Sequence, residues 1–181
     1  MAPSRHMLCA LTPGLALAVL LWPLPGHSLS SDRREPIYIE ADKASLDEKN
    51  GVSVYEGSVL LRQGTLQMQG SKMSITLNNK NIELIRVEGN PARFSQRPDG
   101  ADTDQQAEAG TIEYHTGTQR LLLQGNASIR QSGREEFRSD RIEFNLRSNT
   151  VNAGGDSGTD RVHITLQPGK PADAATVDTP E

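Results

Sequence analysis

Outside the first thirty residues, the side chains best suited to general-base or metal-ligand work are His115 and His163. They lie far apart, and each falls on the polar phase of an alternating segment. A metal site needs converging His or carboxylate ligands, so two solvated histidines are the better reading. Asp156-Ser157-Gly158 has the composition of an aspartic-protease triplet. It sits in a glycine-rich run that reads as a turn, and no second triplet accompanies it. No nucleophile-elbow sequence places a serine for attack. Asn126-Ala127-Ser128 fits a glycosylation sequon, a three-residue pattern that is common by chance. A hydrolase would have to rest on His115, His163 or Asp156. No catalytic residue, metal ligand or cofactor is assigned.

The remaining chemistry is apolar. Leu46, Met68, Met73, Ile75, Phe137, Ile142 and Phe144 recur on one phase of alternating segments, and Phe94 and Tyr114 add large rings to the same set. In a closed sandwich these side chains form a core. In an open or V-shaped pair of sheets they line a trough suited to acyl chains, where each buried methylene contributes about 0.8 kcal/mol. Methionine adapts there to variable shapes. Alternation alone fits both arrangements.

Strands must position these side chains. Ile37 and Ile39 alternate with Tyr38 and Glu40, and Met73, Ile75 and Leu77 with Lys72, Ser74 and Thr76. Ile142, Phe144 and Leu146 repeat the pattern against Arg141, Glu143 and Asn145, and Val162, Ile164 and Leu166 against Arg161, His163 and Thr165. One apolar and one wet face is the signature of a half-buried antiparallel strand. No segment carries a comparable helical stripe. Asn50-Gly51 is a hairpin signal because both residues tolerate positive φ. Asn78-Asn79-Lys80-Asn81, Thr116-Gly117 and Ser148-Asn149 stand in similar places. About a dozen strands follow from this turn spacing.

The chain also repeats itself. A shift of 68 residues lays Gly57 on Gly125, Leu61 on Ile129 and Arg62-Gln63 on Arg130-Gln131. One further residue lays Met68 on Phe137, Met73 on Ile142, Ile75 on Phe144 and Leu77 on Leu146. Two like units in succession predict an extended sheet pair. Between them, residues 97–106 are polar, with proline, glycine and three aspartates, and read as a loop. The tail, residues 168–181, is rich in Pro, Ala and Asp and is expected to be disordered.

Residues 1–28 differ from the rest. Arg5 and His6 precede an apolar stretch over residues 7–24, and Gly26-His27-Ser28 offers small residues at −3 and −1, as in a cleaved secretory leader. Prolines interrupt the stretch, and its apolar core is too short to span a membrane. The folded domain is expected over residues 29–167. The single cysteine, Cys9, leaves with the leader, so neither disulfides nor thiolate chemistry are available to the mature chain. The formal charge of −4 and the lack of a basic stripe argue against a nucleic-acid partner.

Pro36-Ile37-Tyr38-Ile39-Glu40-Ala41-Asp42, with Leu46-Asp47, resembles the opening of the LptA/OstA family of periplasmic lipopolysaccharide-transport proteins. The resemblance continues in order through Tyr55-Glu56-Gly57-Ser58-Val59, Arg62-Gln63-Gly64, Gly89-Asn90-Pro91-Ala92-Arg93-Phe94, Leu123-Gln124-Gly125-Asn126-Ala127 and Arg138-Ser139-Asp140-Arg141-Ile142. It covers about Pro36 to Pro168, and its specificity lies in order and spacing rather than in any one motif. It implies an all-β, twisted, partly open antiparallel jellyroll in the periplasm, holding the lipid A acyl chains of lipopolysaccharide. It further implies head-to-tail homo-oligomers that reach from an LptC-like inner-membrane protein to an LptD-like outer-membrane translocon. On this resemblance Ile37, Ile39, Phe94 and Tyr114 join the lining. Ile37 and Ile39 lie near one docking end, and Val162, Ile164 and Leu166 near the other. The alternative is a structural β-module of the periplasm with a filled core and no lipid cargo.

Overall fold

The computed structural model describes residues 31–131, 135–154 and 161–167. The expected leader, Cys9, the Asp156-Ser157-Gly158 triplet and the tail lie outside these residues. A 3-10 turn, Ser31–Arg34, precedes strands β1 (Tyr38–Glu40), β2 (Lys43–Asp47), β3 (Val52–Gln63), β4 (Leu66–Asn78) and β5 (Asn81–Gln96). Then come β6 (Gln105–His115), β7 (Arg120–Gln131), β8 (Glu135–Asn145), β9 (Thr150–Ala153) and β10 (His163–Leu166). The described strands form one antiparallel sheet in the order β1-β3-β4-β5-β6-β7-β8-β10, with β2 also on β3 and β9 also on β8.

Where about a dozen strands were expected, the described residues form ten, because β3 to β8 do not stop at their internal glycines. These strands run 11 to 16 residues, about twice the usual length. Register breaks fall between Glu56 and Val59, Gln69 and Lys72, Glu88 and Ala92, Glu108 and Thr111, and Gln124 and Ala127. They form a line across the sheet, and bulges of this kind bend and twist strands. Gly57 at φ 101° and Gly125 at φ 80° are bend residues from the two repeats. A Cβ on Gly57 would strike the Asp42 carboxylate, which accepts the Ser58 N–H at 3.1 Å.

The bend divides the sheet into two leaves. The first holds β1, β10 and the parts of β3 to β8 nearest the β3–β4 turn. The second holds β2, β9 and the remaining parts. Ala107, opposite Phe94, lies seven residues before Tyr114 on β6, roughly 23 Å along a straight strand. Yet the rings of Phe94 and Tyr114 have centroids 6.5 Å apart. The leaves therefore fold toward each other with their apolar faces inside.

Both repeats are visible in the register. Shifted by 68, β3 coincides with β7, and shifted by 69, the start of β4 falls on that of β8. β1 and β2 together answer to β6, and β5 to β9 and β10. The β4–β5 turn has Asn79 and Lys80 at φ 50° and 66°, the two positive values that a type I′ hairpin requires. Asn50 sits in a longer β2–β3 turn. Its side-chain amide, then its backbone N–H, hold the Asp47 carboxyl below the usual carboxylate range. The expected loop at 97–106 ends earlier, because Gln105 and Gln106 pair with Gln96 and Ser95 as the start of β6.

Candidate lipid-binding site

Directly paired residues of neighbouring strands share a face. The register consequently links side chains into rows that cross the sheet. In the first leaf one row runs Ile39, Leu61, Met68, Phe94, Ala107, Ile129, Phe137, Ile164. In the second leaf, next to the bend, Tyr55, Met73, Val87, Ile112, Leu123 and Ile142 form another. Farther out, Leu46, Ser53, Ile75, Ile85, Tyr114, Leu121, Phe144 and Val151 form a third. These rows gather nearly all the residues that the sequence nominated.

Burial varies along the rows. Met68, Met73, Ile75, Phe94, Tyr114, Ile142 and Phe144 are buried in one apolar cluster. Ile37, Ile39 and Phe137 are half-buried against it. Leu46 faces inward in phase, but it stands on the edge strand β2 and is 63% exposed. Ile164 and Leu166 on β10 are 55% and 66% exposed, and Val162, just ahead of the strand, is also exposed. Ile37 likewise immediately precedes β1. The apolar interior thus reaches the surface at both edges of the sheet, beside strands that have no further neighbour among the described residues.

The outer face is wet. Cross-strand ion pairs such as Arg62–Glu40 at 3.1 Å, Arg86–Glu113 at 2.8 Å and Arg93–Glu108 at 2.9 Å line it; the exposed ones, Arg62–Glu40 and Arg93–Glu108, contribute little stability. A polar hollow of about 560 Å³ lies there among Glu108, Arg130, Glu136, Arg138 and His163. His163 is on the first leaf, opposite Arg138, and His115 on the second, 3.9 Å from Glu113. The two histidines do not converge. Asn126 lies at the bend of β7 with φ 49°.

Polar residues on the inward phase were not anticipated. Gln96, Gln105 and Gln131 are buried at the outer end of the first leaf. Asp32, in the 3-10 turn, is buried and accepts the Thr65 N–H at 2.7 Å, the Thr65 hydroxyl at 2.6 Å and the Gln96 amide at 2.9 Å. Asn149, in the β8–β9 turn, accepts the amides of Gln105 at 2.8 Å and Gln131 at 3.2 Å. A sequence signal existed: Gln96 continues the alternation of Ala92 and Phe94, and Gln131 that of Ala127 and Ile129. Tyr114 faces the same side, near Arg33 and Asp32. Burial raises its phenol pKa above the ordinary value, with Arg33 opposing and Asp32 adding to the rise.

The described residues thus form an open, bent antiparallel sheet whose apolar inner face reaches both of its edges. The family described as LptA/(LptD N-terminal domain) LPS transport protein matches residues 38–150, and this chain belongs to it. The lipopolysaccharide export system protein LptH of Pseudomonas aeruginosa is 33% identical over 152 residues, covering 80% of this chain and 86% of that protein. The lipopolysaccharide export system protein LptA of Escherichia coli (strain K12) is 29% identical over 156 residues, covering 85% and 83%. The crystal structure of LptH, described as the LptA homologous periplasmic component of the lipopolysaccharide transport device of Pseudomonas aeruginosa, superposes with a TM-score of 0.71 at 33% identity. That likeness covers 76% of this chain and 99% of the LptH chain.

Proposed function

We propose that this chain is a periplasmic lipopolysaccharide-binding bridge protein, which shields acyl chains between its two leaves during passage from inner to outer membrane. The observation that carries this reading is the set of apolar rows that cross the sheet and surface at both unpaired edges. Such rows offer an acyl chain continuous apolar walls and an exit at each end. Two relatives named as export proteins, one an export-device component with the same fold, support the assignment. The lining is Ile37, Ile39, Leu46, Met68, Met73, Ile75, Phe94, Tyr114, Phe137, Ile142 and Phe144.

The edges supply the contacts. β1 and β2 leave one side of the sheet open, and β9 and β10 the other. An open edge presents unpaired N–H and C=O groups that a further strand can satisfy. Docking the first edge of one copy on the last edge of another is heterologous and non-closing, so it extends into a filament. The same edges would receive an LptC-like inner-membrane protein and the LptD-like outer-membrane translocon. The role is carriage, with no catalytic step.

One observation favours the filled-core alternative: Met68, Met73, Ile142 and Phe144 have no exposure, so the middle of the rows is packed. A carrier must separate its leaves to accept cargo, whereas a scaffold need not. Exported protein purified in mild detergent and analysed for bound lipid A distinguishes the two. The carrier retains lipid A, and a scaffold retains none.

A further inference from the structure

The inward-facing amides at the outer end of the first leaf are out of place in an apolar carrier. Gln96 and Gln105 are paired neighbours in the register, and Gln131 lies one strand beyond on β7. Leucines would complete the apolar face there. Instead Gln105 and Gln131 reach across to the second leaf, and both donate to the single carbonyl of Asn149. Buried amides need partners, so these side chains hold the leaves together only while Asn149 stays in place.

Two polar clusters lie at this mouth, and only the one at Asn149 joins the two leaves. Asp32 is buried and accepts three hydrogen bonds of 2.6 to 2.9 Å from Thr65 and Gln96, all within the first leaf and the turn that leads into it. Asn149 is exposed, neutral, carried on a turn and bound by two contacts, one of them 3.2 Å long. The contact at Asn149 is therefore the polar seam at which the leaves can part here.

We propose that Gln105, Gln131 and Asn149 form a polar gate through which the ligand enters sideways, and that the released glutamine amides then bind the hydroxyl- and phosphate-bearing headgroup of an amphipathic glycolipid. This inference rests on the carrier role proposed above. An acyl chain by itself fills the interior but leaves the freed amides without partners. A glycolipid supplies both the apolar filling and new hydrogen-bond partners, so gate opening selects for it.

The test uses a chain beginning at Leu29, which omits Cys9 and contains all the described elements. Gln105→Cys and Asn149→Cys are introduced together and bridged, after folding, by a short reducible bis-methanethiosulfonate reagent. Uptake of purified lipopolysaccharide is measured before bridging, after it, and after reduction, so the unbridged protein is its own folding control. Bridging should lower uptake roughly tenfold or more, because it removes the open population, and reduction should restore it. Equal uptake by bridged and open protein overturns the gate and leaves the carrier standing. No uptake by the open protein, when the unsubstituted chain does load, makes the gate residues indispensable to loading; no uptake by either overturns carrier and gate together. In a second arm, Gln105→Leu with Gln131→Leu should weaken retention of lipopolysaccharide while leaving a saturated fatty acid unaffected. Equal loss or equal retention of both ligands overturns the headgroup role.

Discussion

At the scale of single residues, the interior is specified by side chains that cannot be replaced without leaving space. Phe144 and Ile142 occupy two different rows and are wholly buried. Phe144→Ala should cost about 3–5 kcal/mol and Ile142→Ala about 2–5 kcal/mol, read from urea unfolding monitored by circular dichroism. Tyr114 gives the interior a pH limit. Its folded pKa is raised by burial, so its contribution is fully present below the unfolded phenol value near 10 and fades as pH rises through the folded value. Stability should fall in the alkaline range, and Tyr114→Phe should flatten that fall in unfolding curves recorded between roughly pH 9 and 11. A decline of the same steepness in the variant would assign it to other groups.

At the scale of elements, the bends and the edges have separate duties. Gly57→Ala must place a side chain at φ 101° against Asp42, and should destabilise by about 1–3 kcal/mol, seen as a lower melting temperature. Ile164→Arg with Leu166→Arg alters only exposed positions on β10. It should leave the melting temperature nearly unchanged yet abolish concentration-dependent end-to-end assembly in light scattering; assembly that persists would place the contact elsewhere. The strands and their phase were legible in the sequence because a sheet writes its two faces directly into alternation. Asn79 and Lys80 likewise announced their hairpin. The length of the strands was not legible, since Gly57 or Gly125 inside a strand looks like a glycine at a turn until its partner strand is known. Nor were the polar fastenings, because their partners are remote in sequence: Asp32 reaches Gln96 across 64 residues, and Asn149 reaches Gln105 across 44. The inward set was nominated by phase, but phase does not separate the packed centre of a row from its exposed ends, so Leu46 at an edge and the buried Phe144 looked alike.

At the scale of the whole molecule, two five-strand units form one bent sheet whose apolar face is continuous from edge to edge. Continuity is what distinguishes a conduit from a core, and it depends on the bulges staying aligned so that β3 to β8 cross between leaves at the same level. The central claim is that lipopolysaccharide acyl chains lie against this face. The most direct test places a photo-crosslinking amino acid at Ile75, Phe94 or Phe137, with Thr76 on the opposite phase as control, and probes living cells for covalent lipopolysaccharide adducts. Adducts at the three inward positions and none at Thr76 are predicted. Folded, exported protein that gives no adduct at any inward position would contradict the carrier and leave a packed scaffold in its place.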